Sequence, residues 1–179
     1  MKMPSRRTIT HRGVPLVLVS AALMAFVARW EGHENVVYAD KLAGGLPTVC
    51  KGITKHVTTQ EVIVGDYWSD ERCDEVESLV VSKGQLKLLD CIKAPITQSQ
   101  FDAYSSFAHN VGVPAACASR ALTLASMGRA KESCMALSVK PDGTPAWSYV
   151  TSYKNGVKTS VYIRGLHNRR KDETKFCLR

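Results

Sequence analysis

The sequence has no Asp or Glu in residues 1–30, no C-x-x-C pair, and no Cys before position 50. It is also poor in chain breakers: 7 Pro and 12 Gly in 179 residues, with 45% apolar and 22% charged side chains, exclude collagen-like and disordered chains. No internal repeat or low-complexity tract occurs. The five His, at positions 11, 33, 56, 109 and 167, lack metal-ligand spacing, so no metal is expected. Net charge is +8, but five of the 24 basic residues lie in residues 1–30, which leaves 19 against 16 acids, or +3, for the rest. A nucleic-acid partner calls for a concentrated basic face, and a body at +3 does not supply one. This length fits one medium folded domain.

Lys2, Arg6, Arg7 and Arg12 precede an uncharged run over residues 13–28. A basic start followed by an apolar stretch is read by the secretion machinery, with the positive end kept in the cytoplasm and the remainder exported. The best small-x-small site, Ser20-Ala21-Ala22, lies inside the run instead of after it, which disfavours cleavage. As a helix the run rises about 24 Å, short of a hydrocarbon core of about 30 Å. Four Ala, one Ser and one Gly dilute its apolarity, so leaving the bilayer costs less than for a Leu-rich anchor. The expectation is an N-terminal apolar helix, residues 1–28 serving as a signal-anchor segment, ahead of an outward-facing body of residues 29–179. A cleaved signal peptide and a buried core helix are the other readings of the same run.

Cys50, Cys73, Cys91, Cys117, Cys134 and Cys177 all follow the run, an even number that fits disulfides in an oxidising compartment. Spacing alone does not choose among their pairings.

In the body, Trp30, Val36 and Val37 among polar residues predict a short amphipathic helix over 29–38, weakened by Gly32. Residues 40–54, with Gly44-Gly45 as turn chemistry, predict a small hairpin. Residues 70–91 read as a helix with Ser69 as a possible N-cap and Gly84 as a possible interruption. Phe101, Tyr104, Phe107 and Ala108 repeat at helical spacing after Thr97-Gln98-Ser99-Gln100 and stop at Val111-Gly112, which marks a core helix. Further helices are expected near 118–127, 129–138 and 165–176, separated by turn-rich stretches at 140–145 and 153–156. The expected fold is α+β, mostly helical with a small N-terminal sheet.

Glycoside cleavage needs a carboxylic acid to protonate the leaving oxygen and a carboxylate to direct water or stabilise the developing positive sugar. Glu31, beside Trp30 at the start of the body, has the apolar neighbour that suits a general acid. Asp40 lies at the hairpin entrance in the polar surroundings that suit a carboxylate. Thr48, on the returning strand, offers a hydroxyl to hold the attacking water. Taken bare, these three residue types within eighteen positions are common.

In sequence, Glu31-Gly32, then Asp40, then Thr48-Val49-Cys50-Lys51-Gly52 closely resembles the Glu, Asp and Thr triad of phage-type lysozymes, glycoside hydrolase family 24. Residues 101–112 resemble that family's central-helix motif, and Gly165-Leu166-His167-Asn168-Arg169-Arg170 with Glu173 and Cys177 resembles its C-terminal one. In order and spacing the resemblance covers roughly residues 29–178. It implies a lysozyme-like fold and a muramidase acting on the β-1,4 bond of peptidoglycan without metal or cofactor. It assigns Glu31 as proton donor, Asp40 as second carboxylate and Thr48 as water holder, with Thr54 a rival for Thr48. Lys41 to Pro47 put seven residues between Asp40 and Thr48, more than in many members. By the same resemblance the cysteines pair as Cys91–Cys117, Cys134–Cys177 and Cys50–Cys73. Arg169 and Arg170 either touch the anionic peptide stems of peptidoglycan or form helix-surface salt bridges with Glu173 or Asp172.

The uncleaved, small-residue-rich start is similar to that of signal-anchor-release endolysins. This implies export by the host secretion machinery, an inactive form held at the inner membrane, and a periplasmic form active in host lysis, monomeric once released. Two other functions compete: a lytic transglycosylase, which uses Glu31 without Asp40, and a membrane-tethered wall-binding protein with a decayed site.

Overall fold

The computed structural model describes residues 7–41 and 44–179. Lys2 and Arg6 of the basic start, and Leu42 and Ala43 of the Asp40–Thr48 connection, lie outside the described residues. The chain divides into two units, one of residues 18–85 with Arg7 and one of residues 8–17 with 86–179.

In the first unit, helix α1 (Ala21–Trp30) starts at Ser20, whose hydroxyl accepts from the Leu23 amide. Strands β3 (Glu34–Asp40), β4 (Leu46–Cys50) and β5 (Ile53–Thr54) form a sheet in that order, antiparallel throughout. Helix α2 (Asp70–Asp90) follows, its residues up to Gln85 belonging to this unit. Its Ser69 hydroxyl accepts from the Arg72 amide at 3.3 Å, as the sequence predicts, and Gly84 does not interrupt it. Val37, Val49, Ile53, Trp68 and Val76 pack in one buried cluster around the Cys50–Cys73 disulfide, and Leu23 and Val27 of α1 pack with Val81 in another.

In the second unit, β1 (Thr8–His11) and β2 (Val14–Val17) form a hairpin closed by Arg12 and Gly13, both at positive φ. The central helix α3 (Gln98–Val111) opens on a full capping box at Thr97 and Gln100 and ends at Gly112, where φ is +87°. Short helices α4 (Val113–Cys117), α5 (Arg120–Ser126) and α6 (Ala130–Met135) follow. A second hairpin, β6 (Tyr149–Lys154) and β7 (Val157–Tyr162), precedes the last helix α7 (Arg164–Cys177). Disulfides Cys91–Cys117 and Cys134–Cys177 lie in this unit, so all three pairs are those the resemblance implies.

Two expectations fail. The apolar run is not one helix: Val14–Val17 is a strand and α1 begins only at Ala21. Among the described residues no helix is long and apolar enough to cross a membrane. Residues 29–38 are not a helix, because α1 stops at Trp30 and the β-favouring Val36-Val37-Tyr38 joins the sheet as β3. The turn expected at 153–156 is present, with Asn155 and Gly156 both at positive φ as the hairpin twist demands, but it joins two strands instead of separating helices.

Candidate active site

Glu31, Asp40 and Thr48 all belong to the first unit. Glu31 caps the C-terminus of α1, its amide donating to the Val27 carbonyl at 3.1 Å, and its side chain is half-buried. That helix end therefore fixes where the acid emerges.

Register places the other two. Tyr38 pairs with Thr48, Thr48 with Thr54, and Asp40 with Leu46. Directly opposed residues share a sheet face, and so do residues two apart along a strand, so Asp40, Thr48 and Thr54 all project on one face. Asp40 and Thr48 are diagonal neighbours, a relation that sets their backbone positions about 7–8 Å apart. Thr48 is buried and its hydroxyl donates to the Leu46 carbonyl at 3.0 Å, so towards a water it acts as acceptor. Thr54 stands in the same row, half-buried, its hydroxyl accepting from the His56 amide at 3.3 Å. The Gly45 amide donates to the Asp40 carbonyl at 2.7 Å, which closes the base of the loop between the two strands.

A network that sequence reasoning missed holds the segment after Glu31. His33 Nε2 donates to Asp70 Oδ1 at 3.0 Å, since an ionised carboxylate only accepts. Asn35 Nδ2 donates to the same oxygen at 2.8 Å and to the Trp68 carbonyl at 2.9 Å. Asp70 stands 37 residues from His33, so no local spacing signals the pairing. The Asn35 hydrogen bond, then that from His33, holds the Asp70 carboxyl below its ordinary value of 3.8. A carboxyl lowered in the folded state stabilises it above the unfolded value and ceases to do so as pH falls through the folded one. Asp70→Ala should accordingly loosen residues 33–35 and reduce activity several-fold at neutral pH, and wild type and variant should converge in stability as pH falls through the lowered folded-state value of Asp70. Thermal unfolding across pH, with activity at pH 7, checks this.

Lys51, on the turn between β4 and β5, pairs with the buried Glu77 of α2 at 2.6 Å, a second tie between the sheet and this helix beside Cys50–Cys73.

In the second unit, Arg169 and Arg170 are both buried and converge on Glu173, at 3.3 and 2.8 Å, with Ser106 donating to the same oxygen at 2.8 Å. Burial raises the Glu173 carboxyl while Arg170 and Arg169 oppose that shift. The arginines thus brace α3 against α7. Of the two readings given above, the pairing with Glu173 is the one observed, although it lies inside the unit and not on a helix surface.

The phage lysozyme family model matches residues 28–173 of the chain. A SAR-endolysin of Pseudomonas phage phiKMV is 35% identical over 167 residues, covering 93% of this chain and 90% of that protein. Among solved structures, an endolysin from Escherichia coli O157:H7 phage FAHEc1 superposes with a TM-score of 0.73 at 26% identity, covering 89% of this chain and 92% of that one. The muramidase domain of SpmX from Asticaccaulis excentricus gives 0.72 at 24% identity, covering 90% and 97%, a likeness of fold. The chain belongs to the phage lysozyme family, and with it to the glycoside hydrolases that degrade peptidoglycan.

Proposed function

We propose that this muramidase hydrolyses the β-1,4 bond between N-acetylmuramic acid and N-acetylglucosamine with Glu31 as the proton donor. Asp40 directs the attacking water and offsets the positive charge that develops on the sugar, and Thr48 accepts a hydrogen bond from that water. The observation that carries this reading is the register that sets Asp40 diagonal to Thr48 on one sheet face, in the unit where α1 delivers Glu31. Its test is the count of new reducing ends released from purified murein by Glu31 and Asp40 variants.

The same reading places the chain first at the host inner membrane, delivered by the secretion machinery, and then in the periplasm as a monomer that lyses the host. The relative from phage phiKMV, by its name a SAR-endolysin, supports it. So does the division of labour within the apolar run. Leu23 and Val27 are buried in the first unit, whereas Ala21, Ala22 and Ala25 are exposed on α1. A segment whose large side chains, Leu16, Leu18, Leu23 and Val27, find cover in the folded body while its small ones face water loses little apolar burial on leaving the lipid.

Changing Ala21, Ala22 and Ala25 together to Leu leaves the folded core alone and strengthens the hold of a bilayer by about 0.3–0.6 kcal/mol per residue. The triple variant should stay with the membrane fraction and delay lysis, while detergent-solubilised protein cleaves murein at the wild-type rate. Unchanged release on fractionation would sink the anchor reading and leave the muramidase one standing.

A further inference from the structure

The β6–β7 hairpin serves no residue of the proposed reaction, yet it is built with care. Tyr149 opposes Tyr162, Thr151 opposes Ser160, and Tyr153 opposes Lys158, so these six side chains share one face. The Tyr149 and Tyr162 rings meet edge to face at 5.6 Å, and the Thr151 and Ser160 hydroxyls are bonded at 2.9 Å. The face is open: every residue of β7 is exposed, and Tyr153 is 71% accessible. Its base is fixed by the Ile163 amide donating to the Ser148 carbonyl at 2.8 Å and by Tyr162 resting on His167.

Tyr149 also lines a cavity of about 350 Å³ with Arg120, Val139, Lys140, Pro141 and Trp147. Lys140 Nζ sits 5.2 Å from the Tyr149 ring centroid, which joins the cavity to the hairpin face. Charge along the hairpin and the segment that follows it has one sign, while Asp142 stands beside the cavity-lining Lys140 and Pro141. Residues 143–171 hold six basic residues and no acid, and with Arg169 and Arg170 committed to Glu173 four remain.

We propose that this hairpin face and the cavity at its base form a second binding site for peptidoglycan, apart from the residues that cleave it. Tyrosine rings stack on sugar rings, and Lys140, Lys158 and Arg120 meet the carboxylates of the peptide stems. The identity of the polymer rests on the muramidase reading; the site itself rests on other residues. Two features favour this occupant over a lipid surface. The hairpin tip is the polar Lys154-Asn155-Gly156, and hydroxyls alternate with the tyrosines along the face, which suits a hydroxyl-rich strand lying on it. From Tyr149 to Tyr153 the platform runs about 13 Å, long enough for more than one sugar ring.

The test uses the full chain carrying Glu31→Gln, so that purified sacculi survive, and reads retention by co-sedimentation. Adding Tyr153→Leu with Lys158→Glu should weaken retention about tenfold, the loss of one cation–ring or stacking contact and one charge pair. Tyr153→Trp should retain as wild type, because it keeps the ring. With Glu31 restored, hydrolysis of a short soluble muropeptide should be unchanged by the hairpin substitutions. Retention untouched by the double substitution would overturn the proposal. So would parallel loss of retention and of soluble-substrate hydrolysis, which would place the hairpin within the cleaving site. Loss of binding to phosphatidylglycerol vesicles with sacculus retention intact would make it a membrane contact instead, and would also overturn it. Retention that follows the hairpin in a protein whose wild type cleaves nothing would reject the muramidase reading alone.

Discussion

Glu31→Gln should lower release of reducing ends from murein by about 10²- to 10⁴-fold, the usual worth of a positioned general acid. Gln keeps the size of the side chain and its hydrogen-bonding reach but has no proton to give to the leaving oxygen. The backbone at this position is fixed by the Glu31 amide to the Val27 carbonyl, a contact the substitution does not touch. Stability should therefore match wild type, and the loss should fall on turnover more than on substrate binding. Asp40→Asn should lower turnover in the same way, because without the second carboxylate the water is not directed and the positive charge on the sugar is not offset.

The second large effect is on stability. Glu173→Ala removes the shared partner of two buried guanidiniums, Arg169 and Arg170, and of the Ser106 hydroxyl. Deleting one side of a buried ion pair costs about 3–5 kcal/mol, chiefly because the remaining charge has been taken out of water without compensation. Arg169→Met and Arg170→Met combined with Glu173→Leu replace the charges by apolar volume near Phe107, over which Arg170 now lies at 5.1 Å, and should recover a good part of that loss. Urea unfolding of the two variants against wild type measures both. A single Glu173→Ala variant as stable as wild type would show that the cluster does not brace α3 against α7.

Much of the second unit is legible in the sequence because its signals are local. Phe101, Tyr104 and Phe107 recur at helical spacing, Thr97 and Gln100 make a capping box, and Gly112 supplies the positive φ that ends the helix. The hairpins are less legible, for two different reasons. In β2, Val14-Pro15-Leu16-Val17 reads as the start of a longer apolar run, and periodicity cannot tell a short apolar strand from part of a helix. Its partner Thr8–His11 and the Arg12-Gly13 turn are the clues, and they sit in a stretch dominated by export-signal chemistry. In β6–β7 both faces are exposed, so no alternation of apolar and polar residues arises, and only the Asn155-Gly156 turn marks the hairpin.

In the candidate site, the order of Glu31, Asp40 and Thr48 is visible in the chain, and the alignment of Asp40, Thr48 and Thr54 on one face follows only from register. The tie of His33 and Asn35 to Asp70 is invisible beforehand, because it joins side chains far apart in sequence that only the docking of α2 brings together. Arg169 and Arg170 show the same limit: the pattern suits a solvated helix face, and packing against α3 buries both.

The most direct measurement of the central claim is the yield and chemistry of glycan ends released from purified sacculi by wild type, Glu31→Gln and Asp40→Asn, read by reducing-end assay and mass spectrometry. Wild type should release reducing N-acetylmuramic acid ends and each variant should release almost none. Undiminished reducing ends from Glu31→Gln, or anhydro-sugar ends from wild type that persist in Asp40→Asn, would contradict hydrolysis by this pair of carboxyl groups.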